Sequence, residues 1–244
     1  MIHWKSKEAK GTKYAEIRKG MLTLHALTSA ELIDKEHHAW EEIVELLGKG
    51  TNPYVILPAE RSSAEDTLYQ LQVSTKSYLG AVAFEAGGIL WDGGWIHLLG
   101  SGSPGIFGSL NTWNGLSDNM VVDPLEGMLV VAYDAAGGFF ALDTGKFGGS
   151  GLIHYFAPDT LEWESTELPY SGFLGWLVEG DLEQFYQTFR WQEWRENTSR
   201  LREGEVFAYY PPLWTEEGGG DKSRKAPVSV VEAWSFVLGN DRNA

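Results

Sequence analysis

Between Met128 and Glu164 the chain reads MLVVAYD (128–134), AAGG, FFALD (139–143), TGKFGGS, LIHYFAP (152–158) and LEWE (161–164). The apolar runs are short and rich in Val, Phe, Tyr and Ile, and the breaks are of hairpin length, so the stretch predicts an antiparallel meander. Gly137 and Gly138 suit positive φ, and Asp159-Thr160 suits a tight turn. Ser171 then opens GFLGWLVEG, in which Phe173, Leu174, Leu177 and Val178 fall on one helical face. Asp181 starts a second helix, with Gln184 three residues on in a capping-box arrangement.

Working outward, LGAVAFEAGGILW runs into Asp92-Gly93, a pair that favours a two-residue type I′ turn because both central residues need positive φ. Such a turn sets Trp91 opposite Gly94, Leu90 opposite Trp95 and Ile89 opposite Ile96. One face then holds Ile89, Trp91, Ile96 and Leu98, and the other Leu90, Trp95, His97 and Leu99. Both are apolar, so helices or loops are expected on each side of the sheet. Upstream, Ser29 or Asp34 is the expected cap of a helix whose Trp40, Ile43, Val44 and Leu47 make a stripe ending at Gly48. PYVILPA reads as a strand, and Ser62 with Glu65 as a capping box before Leu68 and Leu71. Gly100 to Asn119 is the longest apparent loop, a length that often carries function. Downstream, FRWQEWRENTSRL is helical and FAYYPPLW extended. Glu216 to Ala226 reads as a flexible excursion, and Pro227 begins a last helix with Val231, Trp234 and Leu238 on its apolar side. With no linker and no repeat, residues 21–244 read as a single α+β domain, helices packed on an antiparallel-rich mixed sheet.

The 244 residues are 43% hydrophobic, enough for a sizeable core. No run approaches the roughly 18 apolar residues of a membrane span. The chain has no cysteine, which excludes disulfides and thiolate chemistry and fits a reducing cytoplasm. Residues 1–20 lack the apolar core of a secretory signal. They hold Lys5, Lys7, Lys10, Lys13, Arg18 and Lys19 against Glu8 and Glu16, a net +4 within a total of −15, so the remainder carries −19. These twenty residues read as a disordered basic addition before Met21. The acidic remainder repels phosphate backbones, which argues against nucleic acid, and steers toward a basic partner. Solubility alone is the more economical explanation of the charge.

Motifs of chemistry are sparse. Gly100, Gly102 and Gly105 satisfy G-x-G-x-x-G, but Pro104 interrupts the loop and IFGSLNTWNG is a poor start for the helix that a pyrophosphate needs. His37 and His38 are adjacent and would point about 100° apart on a helix, so they do not share a metal. His97 is the one ionisable group among the inward residues of its hairpin; with Asp118 and Asp134 around the Gly100–Asn119 loop it forms the alternative polar site. Asp92 and Asp143 also fall at strand ends, where Asp ordinarily caps and turns the backbone. Of the tryptophans, Trp40, Trp91, Trp95, Trp163, Trp176 and Trp234 are expected in the core. Phe107, Trp113, Trp191, Trp194 and Trp214 remain as an exposed aromatic surface suited to a partner.

The succession VVAYDAAGGFFALD, LIHYFAPDTLEWE, SGFLGWLVEGDLEQFY resembles the centre of the SUKH superfamily. More closely, GGILWDGGWIHLLGSG, GGFFALD and YYPPLW in that order resemble a bacterial family known only as a domain of unknown function, over about nine-tenths of the chain. Neither carries a catalytic signature or a cofactor. The SUKH resemblance implies a non-catalytic cytoplasmic protein that captures a protein partner, commonly a toxin that it neutralises. The alternative is an enzyme or small-ligand binder using the polar residues around Gly100–Asn119.

Overall fold

The computed structural model describes residues 26–241, so the basic extension of residues 1–20 lies outside the described residues. Seven strands form one sheet: β1 (Tyr54–Pro58), β2 (Ala86–Trp91), β3 (Ile96–Leu99), β4 (Met128–Asp134), β5 (Phe139–Asp143), β6 (Leu152–Ala157) and β7 (Glu162–Pro169). They lie side by side in chain order and every neighbouring pair is antiparallel, so the sheet is a pure meander with none of the parallel pairing of a mixed sheet. A second, two-stranded sheet joins β8 (Glu205–Tyr210) to β9 (Arg224–Ser229). The helices are α1 (Ser29–Leu32), α2 (Trp40–Lys49), α3 (Arg61–Leu71), α4 (Tyr78–Glu85), α5 (Leu110–Trp113), α6 (Tyr170–Glu179), α7 (Leu182–Phe185), α8 (Trp194–Thr198) and α9 (Val230–Asp241). The fold is α+β.

The β2–β3 connection departs from the two-residue turn. Asp92, Gly93 and Gly94 all take positive φ (49°, 69° and 87°) in a short 3₁₀ turn, and Trp95 also stays out of the ladder. Trp91 therefore faces Ile96, Leu90 faces His97 and Ile89 faces Leu98. The slip is two places, which preserves the side-chain parity. Ile89, Trp91, Ile96 and Leu98 still share a face, now continuous through Ala132, Asp134, Phe140 and Tyr155. On that face α4 packs on β2 and α6 on β6 and β7, with α2 against both helices. Phe173, Leu174, Leu177 and Val178 of α6 are all buried. On the other face Trp113 of α5 and Trp234 of α9 lie edge to face, both against Phe139. One hydrophobic core runs through both layers and takes in Val206 and Phe207 of β8.

Several local signals resolve differently from their reading. The helix of the Trp40 stripe, α2, starts behind Ala39 with no side-chain cap, so neither Ser29 nor Asp34 caps it; Ser29 opens the separate α1, which Thr28 caps in a reciprocal box with Glu31. Val44 is exposed on α2, which ends at Lys49 rather than at Gly48. Glu60, not Ser62, caps α3 by accepting from the Ser63 amide. Pro227 lies inside β9, opposite Phe207, and α9 starts only at Val230. Val230, Trp234 and Val237, rather than Val231 and Leu238, are its buried side. Part of the stretch expected to be a flexible excursion is tied down: the Gly220 amide donates to the Thr188 carbonyl at 2.8 Å and the Ser223 hydroxyl to the Pro211 carbonyl at 2.6 Å.

The β5–β6 loop is held by Asp143. Its Oδ1 accepts from the amides of Gly145 (3.0 Å) and Phe147 (2.9 Å), and its Oδ2 from the amide (2.7 Å) and hydroxyl (2.9 Å) of Ser150. Burial pushes the carboxyl pKa up, but these four donors win and hold it below the usual range. Asp143→Asn keeps an acceptor at Oδ1 and loses the one at Oδ2, for an expected cost of about 1 to 3 kcal/mol at pH 7. Since the folded pKa is depressed, the carboxylate's contribution is complete above about pH 4 and is lost as pH falls through the lower folded value. Denaturant titrations of wild type and variant should thus converge in acid, and a constant gap would contradict the assignment.

Candidate functional site

Asp134 ends β4 and is fully buried. The AAGG turn brings the amides of Ala136 and Gly138 to its Oδ1, each at 2.9 Å. Its Oδ2 accepts from the hydroxyls of Tyr155 on β6 (2.8 Å) and Tyr186 just after α7 (3.1 Å). Gly137 supplies the positive φ of the turn (86°). Gly138 is needed for a different reason: a Cβ there would collide with the Tyr155 hydroxyl and come within 2.6 Å of Asp134 Oδ2. Burial raises the Asp134 pKa against the pull of its four donors, and burial together with Asp134 pushes both tyrosines well above their usual range. The hydroxyls therefore stay protonated and donate.

A second buried cluster surrounds Arg190. Its guanidinium donates to Asp92 Oδ2 at 2.6 Å and to Glu183 Oε2 at 3.0 Å. Its plane lies over Trp194 at 3.8 Å, with Trp95 at 4.9 Å and Tyr186 at 5.0 Å. Asp92, read as a turn residue, thus ties the β2–β3 tip to the segment after α7. The Asp134 carboxylate is saturated from within the chain, and both terminal nitrogens of Arg190 are paired there too, while its buried Nε has no partner.

A groove of about 280 Å³, with Tyr155 of the Asp134 cluster in its wall, lies where α6 and α7 meet β5, β6 and β7. Five aromatic rings pack in a closed circuit along its floor and wall: Tyr155–Phe140 (4.5 Å between centroids), Phe140–Phe173 (4.8 Å), Phe173–Trp176 (5.8 Å), Trp176–Phe185 (4.9 Å) and Phe185–Tyr155 (5.4 Å), with Phe140, Phe173 and Tyr155 buried, Trp176 half-buried and Phe185 exposed. Glu164 of β7, paired with Tyr155 across the strands, is exposed at the edge. Its Oε1 accepts from the Thr160 hydroxyl at 3.0 Å.

The aromatic surface expected from Phe107, Trp113, Trp191, Trp194 and Trp214 does not assemble. Trp113 is fully buried, its indole N–H donating to the Phe107 carbonyl at 3.0 Å and its ring on Tyr133. Trp191 and Trp194 are buried against Trp95, and Phe107 is half-buried. Trp214 alone of the five is open to solvent, 46% exposed and 5.9 Å from Phe236. The polar trio does not converge either. Ile96 pairs with Asp134 and His97 with Tyr133, so alternation sends His97 and Asp134 to opposite faces of the sheet. Asp118 is exposed.

The Gly100–Asn119 stretch is ordered and contains α5, capped by Ser109. The amides of Ser101 and Gly102 donate to the Ala86 and Gly87 carbonyls, and that of Gly105 to Glu203 Oε2 at 2.9 Å, which leaves no nest for a phosphate. His37 and His38 reach different carboxylates, Asp34 and Glu85. Among the described residues no group of three or more His, Asp or Glu side chains is placed to hold a metal ion. None of their helices is long and apolar enough to cross a membrane.

Sequence reading did not find Glu164 or the ring as a site. One local signal was present: Trp176 falls outside the Phe173, Leu174, Leu177, Val178 stripe of its helix, so a large ring is left at the helix flank.

His97 stacks on Tyr133 at 4.6 Å and 8°, and burial lowers its pKa to about 4. With the folded value below the usual one of about 6.5, its contribution is complete above pH 6.5 and is lost as pH falls through 4. Wild type should therefore lose more stability between pH 7 and pH 4.5 than His97→Phe. Equal losses in urea titrations would place His97 in water.

The comparisons with known proteins agree on a family. The chain is 41% identical over 207 residues to the uncharacterized protein YbfG of Escherichia coli (strain K12), covering 84% of this chain and 93% of that relative. It is 36% identical over 194 residues to an uncharacterized protein of Haemophilus influenzae, covering 79% and 83%. No solved structure matches it. The family model described as "Protein of unknown function DUF2625" matches residues 29–233. With most of its length matched, the chain belongs to that family.

Proposed function

We propose that this chain is a non-catalytic cytoplasmic binding protein that captures a basic protein partner, in the role of a toxin-neutralising immunity protein that the SUKH resemblance implies. The observation that carries the reading is the fate of the ionisable groups best suited to chemistry. Asp134 is consumed by four internal donors, Arg190 is ion-paired within the chain, and His97 faces the other side of the sheet. Accessible beside these groups is an aromatic groove with a carboxylate at its edge, on a protein of net charge −15. Such a surface favours long-range attraction of a cationic partner and repels nucleic acid.

Affinity capture from a lysate of the source organism should recover one stoichiometric partner of basic character. Its association rate with the full chain should fall markedly from low to physiological ionic strength, as the screening length shortens to about 8 Å. A salt-independent rate, or no partner together with a small molecule that co-purifies with the chain, would overturn the proposal.

A further inference from the structure

The geometry points to a more specific role for the groove, one that deepens the partner-capture reading and rests on it: the ring of Phe140, Tyr155, Phe173, Trp176 and Phe185, with Glu164 at its edge, is a receptor for a single lysine or arginine side chain of the incoming protein. Size comes first. At about 280 Å³ the groove falls just below the roughly 300 to 1,000 Å³ of small-molecule sites, and it suits one long side chain.

Chemistry comes second. The faces of aromatic rings carry negative potential, and Trp176 and Phe185, the two rings of the five that reach solvent, offer it to a cation at the mouth of the groove, backed by the buried Phe140, Tyr155 and Phe173. The lining residues include no lysine or arginine and one carboxylate, Glu164. Thr160 occupies one oxygen of that carboxylate. Thr166, also in the lining, donates its hydroxyl to the Ile153 carbonyl at 2.7 Å and does not compete as a donor. Glu162, two residues from Glu164 on the same face of β7, is exposed as well and adds to the attraction.

The same chain already shows this combination occupied. Around Arg190, rings of Trp95, Tyr186 and Trp194 and the carboxylates of Asp92 and Glu183 hold a guanidinium. The groove repeats that recipe, rings plus acid, with its opening toward solvent.

The test uses the full chain and small probes, so it requires no partner. The indole N–H signals are followed by proton–nitrogen spectroscopy while N-acetyl-arginine methylamide, its lysine counterpart or neutral N-acetyl-norleucine methylamide is added. Trp176→Phe identifies the Trp176 signal by its loss. The Trp176 signal should shift saturably with the basic probes, and the neutral one should bind about fivefold more weakly or worse. Glu164→Gln, at an exposed site where the amide oxygen still accepts from Thr160, should weaken the basic probes and leave the neutral one unchanged. No saturable shift, equal affinity for norleucine, or an unaffected Glu164→Gln would each overturn the proposal. Failure here beside a captured partner removes the groove alone. Probe binding without any partner removes the capture reading alone.

Discussion

The structure depends on one buried carboxylate. Asp134 gathers two amides of the β4–β5 turn, a hydroxyl from β6 and a hydroxyl from the segment after α7. A polar group shut away from water costs several kcal/mol when left without partners, and a charged one costs more. These three parts of the chain are therefore not free to settle independently. The Tyr155 ring is fixed by this constraint with its hydroxyl pointed inward and its ring on Phe140 and Phe185, in the wall of the groove. Tyr186, through the same oxygen, places its own ring against Trp95 and Phe185.

Arg190 works as the second clamp on this side of the sheet. Its ion pairs with Asp92 and Glu183 pin the β2–β3 tip to α7, and the surrounding rings keep water from the Asp92 pair, while Glu183 is exposed. Breaking a buried pair by removing one partner typically costs 3 to 5 kcal/mol, because the survivor is stranded. The two clamps share Tyr186, which both donates to Asp134 and lies under Arg190. Internal polar chemistry is thus spent on holding α7 and its aromatic groups in place beside β6.

The meander was legible in the sequence because its signals are local: Gly137 at positive φ in a short break, and short apolar runs rich in Val, Phe and Tyr on both sides. The β2–β3 register was misjudged by two places since Trp95, apolar like the strand beside it, sits in the turn, and its surroundings are Tyr186, Trp191 and Trp194, about a hundred residues on. Pro227 read as a helix start for its fixed φ, yet the same φ is tolerated in β9, whose outer edge is unpaired. Trp113, set among small polar residues, looked like a surface ring. Its burial comes from Tyr133, Phe139 and Trp234, contacts that composition does not encode. The groove was out of reach for the same reason, since its rings come from β5, β6, α6 and α7 and only folding closes the circuit.

The most direct measurement is a double-mutant cycle on Asp134 and Tyr155, using Asp134→Asn and Tyr155→Phe alone and together, each read by denaturant titration at pH 7. If the carboxylate organises this side of the sheet through the Tyr155 hydroxyl, the two losses overlap and the coupling energy is about 1 kcal/mol or more. Additive losses within about 0.5 kcal/mol would mean that the 2.8 Å hydrogen bond between them does not carry the structure, and would contradict the account.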